Sequence, residues 1–214
     1  MTRILLLSDI HNQEITLKSI LQRIDKVENQ PDVCLIAGDI TNFGTAQDLQ
    51  NILNLVAQHI PKTLYIIGNC DPIVDPNHLD TTAISVESQF YEFGFFCVVG
   101  FGTAKPQFDH KKLLKMKIEK KNVCLLTHVP PFGTAADIES YNRHVGSRQL
   151  KDVIEKNENI FLSVCGHIHD STTISRMGNC TIVNPGSVTV GNFAIIDLQK
   201  DLKIEGRIYN LHEL

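Results

Sequence analysis

The sequence predicts an α/β protein built on a parallel sheet, with a second sheet alongside it. Three observations lead there. Through the first third, short apolar runs alternate with amphipathic stretches, the pattern of β-α-β units joined by right-handed crossovers. Toward the end, strand-like runs follow one another across short turns, which reads as antiparallel pairing and hence another sheet. Finally, run after run stops at Asp, Asn or His. Open α/β sheets bind their ligands at such strand ends.

The elements follow in order. Residues 4–7 form an apolar strand that ends in Ser8-Asp9-Ile10-His11. In extended chain, residues i and i+2 point to one side, so Asp9 and His11 converge. Leu17, Ile20, Leu21, Ile24 and Val27 recur at helical spacing, with Asn12 as the expected N-cap. A second strand, 33–37, ends in Gly38-Asp39. Thr45-Ala46-Gln47-Asp48 forms a capping box that opens a helix with Leu49, Ile52, Leu53 and Val56 on one face. A third strand, 64–67, ends in Gly68-Asn69-Cys70-Asp71 before Pro72. Residues 73–82 read as loop, 83–93 as one exposed alternating strand, 95–101 as a buried strand and 103–110 as loop. Residues 111–121 read as a basic amphipathic helix, its charge a solvated face. Strand 123–126 ends in Thr127-His128, and a polar insertion, 132–146, precedes a helix from Ser147 to about residue 156. Strand 160–165 ends in Gly166-His167-Ile168-His169. Strands 171–176, 181–184, 192–198 and 202–209 close the chain and are assigned to the second sheet, the last two as a hairpin.

Composition narrows the function. With 214 residues, 43% hydrophobic and 21% charged, the chain reads as one globular domain, 1–214. A net charge of −4 without a basic stripe disfavours long nucleic acid as a partner. No apolar run approaches the roughly 20 residues that span a bilayer, so no membrane partner is expected. The N-terminus does not read as a signal peptide. Five of six cysteines lie in apolar runs and no CxxC occurs, so free thiols and a cytoplasmic location are expected.

Gathered together, the polar strand ends are Asp9, His11, Asp39, Asn69, His128, His167 and His169. Singly each is ordinary: an aspartate after a strand is usually an N-cap, an asparagine a turn residue, a histidine a polar terminus. As a set, two carboxylates, one amide and four imidazoles suit divalent first-row metals and exceed what one ion needs.

These blocks resemble the signature of the calcineurin-like metallophosphoesterases: D-x-H, G-D, G-N-x-D/E, H and G-H-x-H. Here they are Asp9-Ile10-His11, Gly38-Asp39, Gly68-Asn69-Cys70-Asp71, His128 and Gly166-His167-Ile168-His169. The stretches His144-Val145-Gly146-Ser147 and Asn184-Pro185-Gly186-Ser187 are similar to those of the small, single-domain Icc-related members. The resemblance implies a four-layer α-β-β-α sandwich of two mixed sheets (the metallo-dependent phosphatase fold). It also implies a dinuclear metal centre: one ion on Asp9, His11, His169 and Asp39, the other on Asp39, Asn69, His128 and His167. Asp39 would bridge them, one oxygen to each. The implied reaction is hydrolysis of a small phosphodiester or phosphomonoester by a hydroxide bridging the two metals. Mn is the metal favoured, with Fe, Zn, Co or Ni compatible with nitrogen and oxygen donors. A nuclease acting on short or single-stranded ends and a non-catalytic protein-binding scaffold are the rival functions, and a homo-oligomer stays open.

The sequence departs from the family at Cys70, where many members carry histidine. Cys70 is therefore a candidate catalytic residue, as a weak acid or an oxidisable group by the metals; the alternative is a small buried filler. Arg143 and His144 are candidates to reach a phosphate from above the metals, and Asp170 and Asn184 to orient the histidines.

Overall fold

The computed structural model describes residues 1–102 and 120–213. The expected loop 103–110 and nearly all of the expected helix 111–121 lie outside the described residues.

In β1 (Thr2–Leu7) the pleat sends alternate side chains to opposite faces. Leu5 and Leu7 join the core beneath two helices, whereas Ile4 and Leu6 join the core between the two sheets. The same division runs through β2 (Val33–Ala37) and β3 (Thr63–Ile66), which lie parallel to β1 in sequence order. On the outer face, α1 (Glu14–Ile24) buries Leu17, Ile20, Leu21 and Ile24. Beside it, α2 (Ala46–His59) buries Leu49, Ile52, Leu53 and Val56. The Thr45–Asp48 capping box forms as expected. Asn12 does not cap α1; that position is Gln13, without a side-chain cap bond, and the helix ends before Val27. The Asn12 carboxamide instead accepts from the Asn42 N–H at 3.3 Å.

The second sheet is built from β5 (Phe90–Phe93), β6 (Phe96–Phe101), β7 (Val123–Thr127), β8 (Ile160–Val164), β9 (Thr173–Met177) and β10 (Cys180–Asn184). Its order is β5-β6-β7-β8-β10-β9, with only the outer pairs antiparallel. The first sheet adds β4 (Ile84–Ser85) at one edge and β11 (Asn192–Leu198) with β12 (Ile204–Asn210) at the other. The helix α3 (Arg148–Lys156), capped by the Ser147 hydroxyl, packs Leu150, Val153 and Ile154 on the second sheet's outer face. Helices, sheet, sheet and helix with three apolar layers between them form the expected four-layer sandwich.

Two expectations change. Residues 83–93 are not one strand: β4 and β5 lie in different sheets, with Ser88 in the left-handed region (φ 57°) between them. The four closing strands do not form the second sheet by themselves. β9 and β10 extend it, while β11 pairs antiparallel with β1 and carries β12 with it. Hairpin turns fix local pairing, but which sheet a hairpin joins depends on long-range register.

A candidate metal centre

The donors come from the ends of β1, β2, β3, β7 and β8, yet little of the chain that carries them is extended. Asp9 (φ 52°), His11 (46°), Asp39 (48°) and His167 (69°) all sit in the left-handed region, which non-glycine residues occupy at a cost of order 1–3 kcal/mol each. The i, i+2 argument for Asp9 and His11 thus reaches the right convergence by the wrong geometry. Bonds across the two loops hold these conformations: the N–H of Asp9 donates to Gly38 O (3.1 Å), that of His11 to Asp39 O (3.0 Å), and that of Asn12 to Ile40 O (3.2 Å). The fully buried Asp9 spends its Oδ2 on the Ser8 hydroxyl (2.7 Å) and the His167 N–H (3.0 Å). Its Oδ1 remains 3.2 Å from His169 Nε2 and 3.9 Å from His11 Nε2.

Glycines permit this closeness. A Cβ on Gly166 would stand 1.8 Å from Ser8 Oγ, and one on Gly68 would stand 2.2 Å from Asp39 Oδ1. Asp71 fastens the neighbouring loop, its carboxylate accepting from the N–H groups of Gly68 (2.8 Å), Ile40 (3.1 Å) and Thr41 (2.6 Å).

All seven expected donors come together. His11 Nε2 and His169 Nε2 face each other at 3.3 Å beside Asp9. His128 Nε2 lies 3.1 Å from Asn69 Oδ1, 3.2 Å from His167 Nδ1 and 3.3 Å from Asp39 Oδ2. Asp39 Oδ2 also lies 3.7 Å from His11 Nε2, so a single oxygen faces both halves; Oδ1 accepts from the Cys70 N–H at 2.8 Å. Among the described residues three groups of potential ligands result: Asp9, His11 and His169; His11, Asp39 and Cys70; Asp39, His128 and His167.

The donor set tests whether a cation fits. His128 Nδ1 lies 2.8 Å from the Ala37 carbonyl, which can only accept, so Nδ1 carries the hydrogen. In neutral His128 the Nε2 lone pair would then face a carboxylate oxygen, an amide oxygen and another imidazole nitrogen. The two oxygens can only accept, and they call for a positive charge beside them. Without metal a proton supplies it: burial pulls the His128 imidazole down, but Asp39 and Asp9 outweigh it and raise its pKa to about 9. Burial pushes Asp39 up, yet its contacts with His128 bring it down to about 2. The contact with Asp9 raises His169, while burial and its neighbour His128 lower His167.

The remaining candidates diverge. Buried Cys70 has its Sγ 3.2 Å from Asn69 Nδ2, and burial with nearby carboxylates pushes the thiol up to about 12. Arg143 pairs with Glu139 and lies over Tyr141. His144 bonds Asp137 (2.7 Å) and helps line a hollow of about 500 Å³ with Val129, Phe132 and Arg148. The Asn184 amide donates to Ile168 O at 2.9 Å, steadying the chain between the two histidines; among the described residues no such bond involves Asp170. Sequence reasoning missed Ser8 and Ser187, whose hydroxyls hold the Asp9 carboxylate and carbonyl (2.7 and 2.8 Å). Ser8 stands inside the Ser-Asp-x-His run; Ser187 carries no local signal.

The sequence model of the calcineurin-like phosphoesterases matches residues 2–171. The chain belongs to that family. An uncharacterised Methanocaldococcus jannaschii protein is 30% identical over 187 residues, covering 81% of this chain and 84% of its own. A protein of Arcobacter nitrofigilis named "Probable glycerophosphodiester phosphodiesterase GpdQ" is 24% identical, with 92% and 76% covered. A solved Thermus thermophilus structure shares the fold at a TM-score of 0.71 and 15% identity, covering 98% of this chain and 99% of its own. Among the described residues no helix is long and apolar enough to cross a membrane.

Proposed function

We propose that this calcineurin-like phosphoesterase is a dinuclear-metal phosphohydrolase for small phosphodiesters or phosphomonoesters. The observation that carries the reading is the cluster of oxygen and imidazole nitrogen atoms around His128 Nε2, joined through Asp39 Oδ2 to a second set around His11 Nε2. Asp9, His11 and His169 would hold one ion, Asn69, His128 and His167 the other, and Asp39 both. Two such ions supply Lewis acidity toward phosphoryl oxygens and lower the pKa of bound water from about 15.7 toward neutrality. Mn is the ion we favour.

The chain's own contributions are orientation and proton placement. The Ala37 carbonyl fixes the His128 tautomer, and Ser8 fixes the Asp9 rotamer. The Cys70 thiol, raised to about 12, keeps its proton at neutral pH and in this reading would hand it to a departing alkoxide, a stronger base. Replacing Cys70 with histidine is expected to raise turnover most for esters with poor leaving groups. A leaving-group series with equal or lower rates would remove that role.

The net charge of −4 weighs against a nuclease groove, and the complete donor set against a scaffold. The six free cysteines, all buried, fit a reducing compartment such as the cytoplasm. The test is metal analysis of the purified protein together with hydrolysis of chromogenic mono- and diesters in Mn, Fe, Zn, Co and Ni. A protein that binds no divalent ion, or binds two and hydrolyses neither ester class, would overturn the reading.

A further inference from the structure

Phe43 bears two penalties that the fold does not require. Its backbone is left-handed, with φ 54°, where a bulky side chain is an outlier. Its ring is 79% exposed, so it adds almost nothing to a core. The backbone conformation itself has a purpose: the Phe43 N–H donates to the Cys70 carbonyl at 2.9 Å, tying the loop after β2 to the loop after β3. Glycine or asparagine would serve that purpose with less strain. The phenyl group is therefore unexplained by folding.

Its position supplies an explanation. Phe43 is bonded to Cys70, whose own N–H holds Asp39 Oδ1 and whose chain neighbour is Asn69. Next to it, the Asn42 N–H is fastened to the Asn12 side chain, one residue beyond His11. The exposed ring thus stands on a loop anchored through Asn42 and Phe43 to two donor-bearing turns, at the rim of the centre. A flat apolar face held there is suited to another flat ring, since stacking on an aromatic side chain tolerates any π-face.

We propose that Phe43 is a specificity-determining residue, a stacking platform for a planar ring in the organic part of the substrate. The preferred class is then phosphate esters carrying a nucleobase or aryl group, rather than glycerol-like alkyl esters. This rests on the phosphohydrolase reading above.

Two variants test it. Phe43→Asn removes the ring and suits the left-handed backbone; Phe43→Tyr keeps the ring. Saturation-transfer NMR of the zinc-loaded protein with adenosine 5′-monophosphate reads contact with the base independently of turnover. Base protons are expected to receive saturation in the wild type and in Phe43→Tyr, and to lose it in Phe43→Asn. Turnover is compared on paired esters of the class the protein hydrolyses: adenosine 5′-monophosphate against glycerol 3-phosphate, or bis(p-nitrophenyl) phosphate against glycerophosphoethanolamine. The ratio of kcat/KM for the ring-bearing ester to that for its partner is expected to fall by about 5- to 100-fold in Phe43→Asn, with Tm unchanged or raised. An unchanged ratio, or base saturation that persists without the ring, overturns the platform. If the wild type shows base saturation that depends on Phe43 but hydrolyses none of the four esters, stacking stands and the hydrolase reading fails.

Discussion

The two sheets contribute unlike chemistry to one centre. In the proposed centre the first would provide every oxygen donor, Asp9, Asp39 and Asn69, together with His11; the second would provide imidazoles alone, His128, His167 and His169. They are also held differently. Donors of the first sheet are locked to one another by backbone bonds between their loops. Those of the second are held largely by the first: His128 is fixed by Ala37 and the His167 N–H by the Asp9 carboxylate. The first sheet is the template, and the second docks its bases onto it.

The sharpest way to break this contrast is to compare one donor from each side. Asp39→Ala removes the oxygen that faces both halves and is expected to lower turnover by about a thousandfold or more, with neither ion retained. His169→Ala is expected to lose ion occupancy in one half only. Elemental analysis of the two purified variants decides it, and equal occupancy in both would end the template idea.

The metal-free protein offers the next test. The folded pKa of His128, about 9, lies above its ordinary 6.5, so its stabilisation is fully present below pH 6.5 and is lost as pH rises through about 9. Asp39, at about 2 in the fold against an ordinary 3.8, contributes above pH 3.8 and loses that contribution as pH falls through about 2. The raised His169 reinforces His128 and the lowered His167 opposes it in part. The net expectation is a fall in the Tm of the metal-free protein between pH 6.5 and 9, with His128 alone equivalent to about 3 kcal/mol. A flat profile would mean that the proton is not shared between the sheets.

Packing comes third. Gly166→Ala drives a methyl into Ser8 and Asp9 where the sheets meet and is expected to cost about 1–3 kcal/mol, or roughly 2–12 °C in Tm. A change at Gly94, where nothing lies within 4 Å of an added Cβ, carries only its backbone strain. The smallest effect belongs to Ser8→Ala, which removes one hydrogen bond to Asp9. It is expected to lower stability by about 1 kcal/mol and metal affinity by about 10–100-fold, measured by competition with a chelator.

Much of the contrast was legible in the sequence because strand ends are local. The apolar run 33–37 and the Gly38-Asp39 that follows it declare their positions without outside help, as do Gly166-His167-Ile168-His169. What was not legible is non-local or conformational. Residue names give no sign that β10 lies beside β8 while β11 lies beside β1, the second of these a pairing across more than a hundred residues. Nor do they show that Asp9, His11 and Asp39 are left-handed, because Asp and His also occupy extended chain. Asn12 read as a helix cap because its neighbours fit one; a bond to Asn42, from the next loop, takes its side chain instead.

The Asp71 carboxylate joins Gly68 to Ile40 and Thr41. A peptide insertion on either side of that clasp would have to be matched on the other, or the bond from the Cys70 N–H to Asp39 would open. Descendants of this scaffold are accordingly free to lengthen elsewhere, as in the stretch after Pro131, while these two short turns keep a common length.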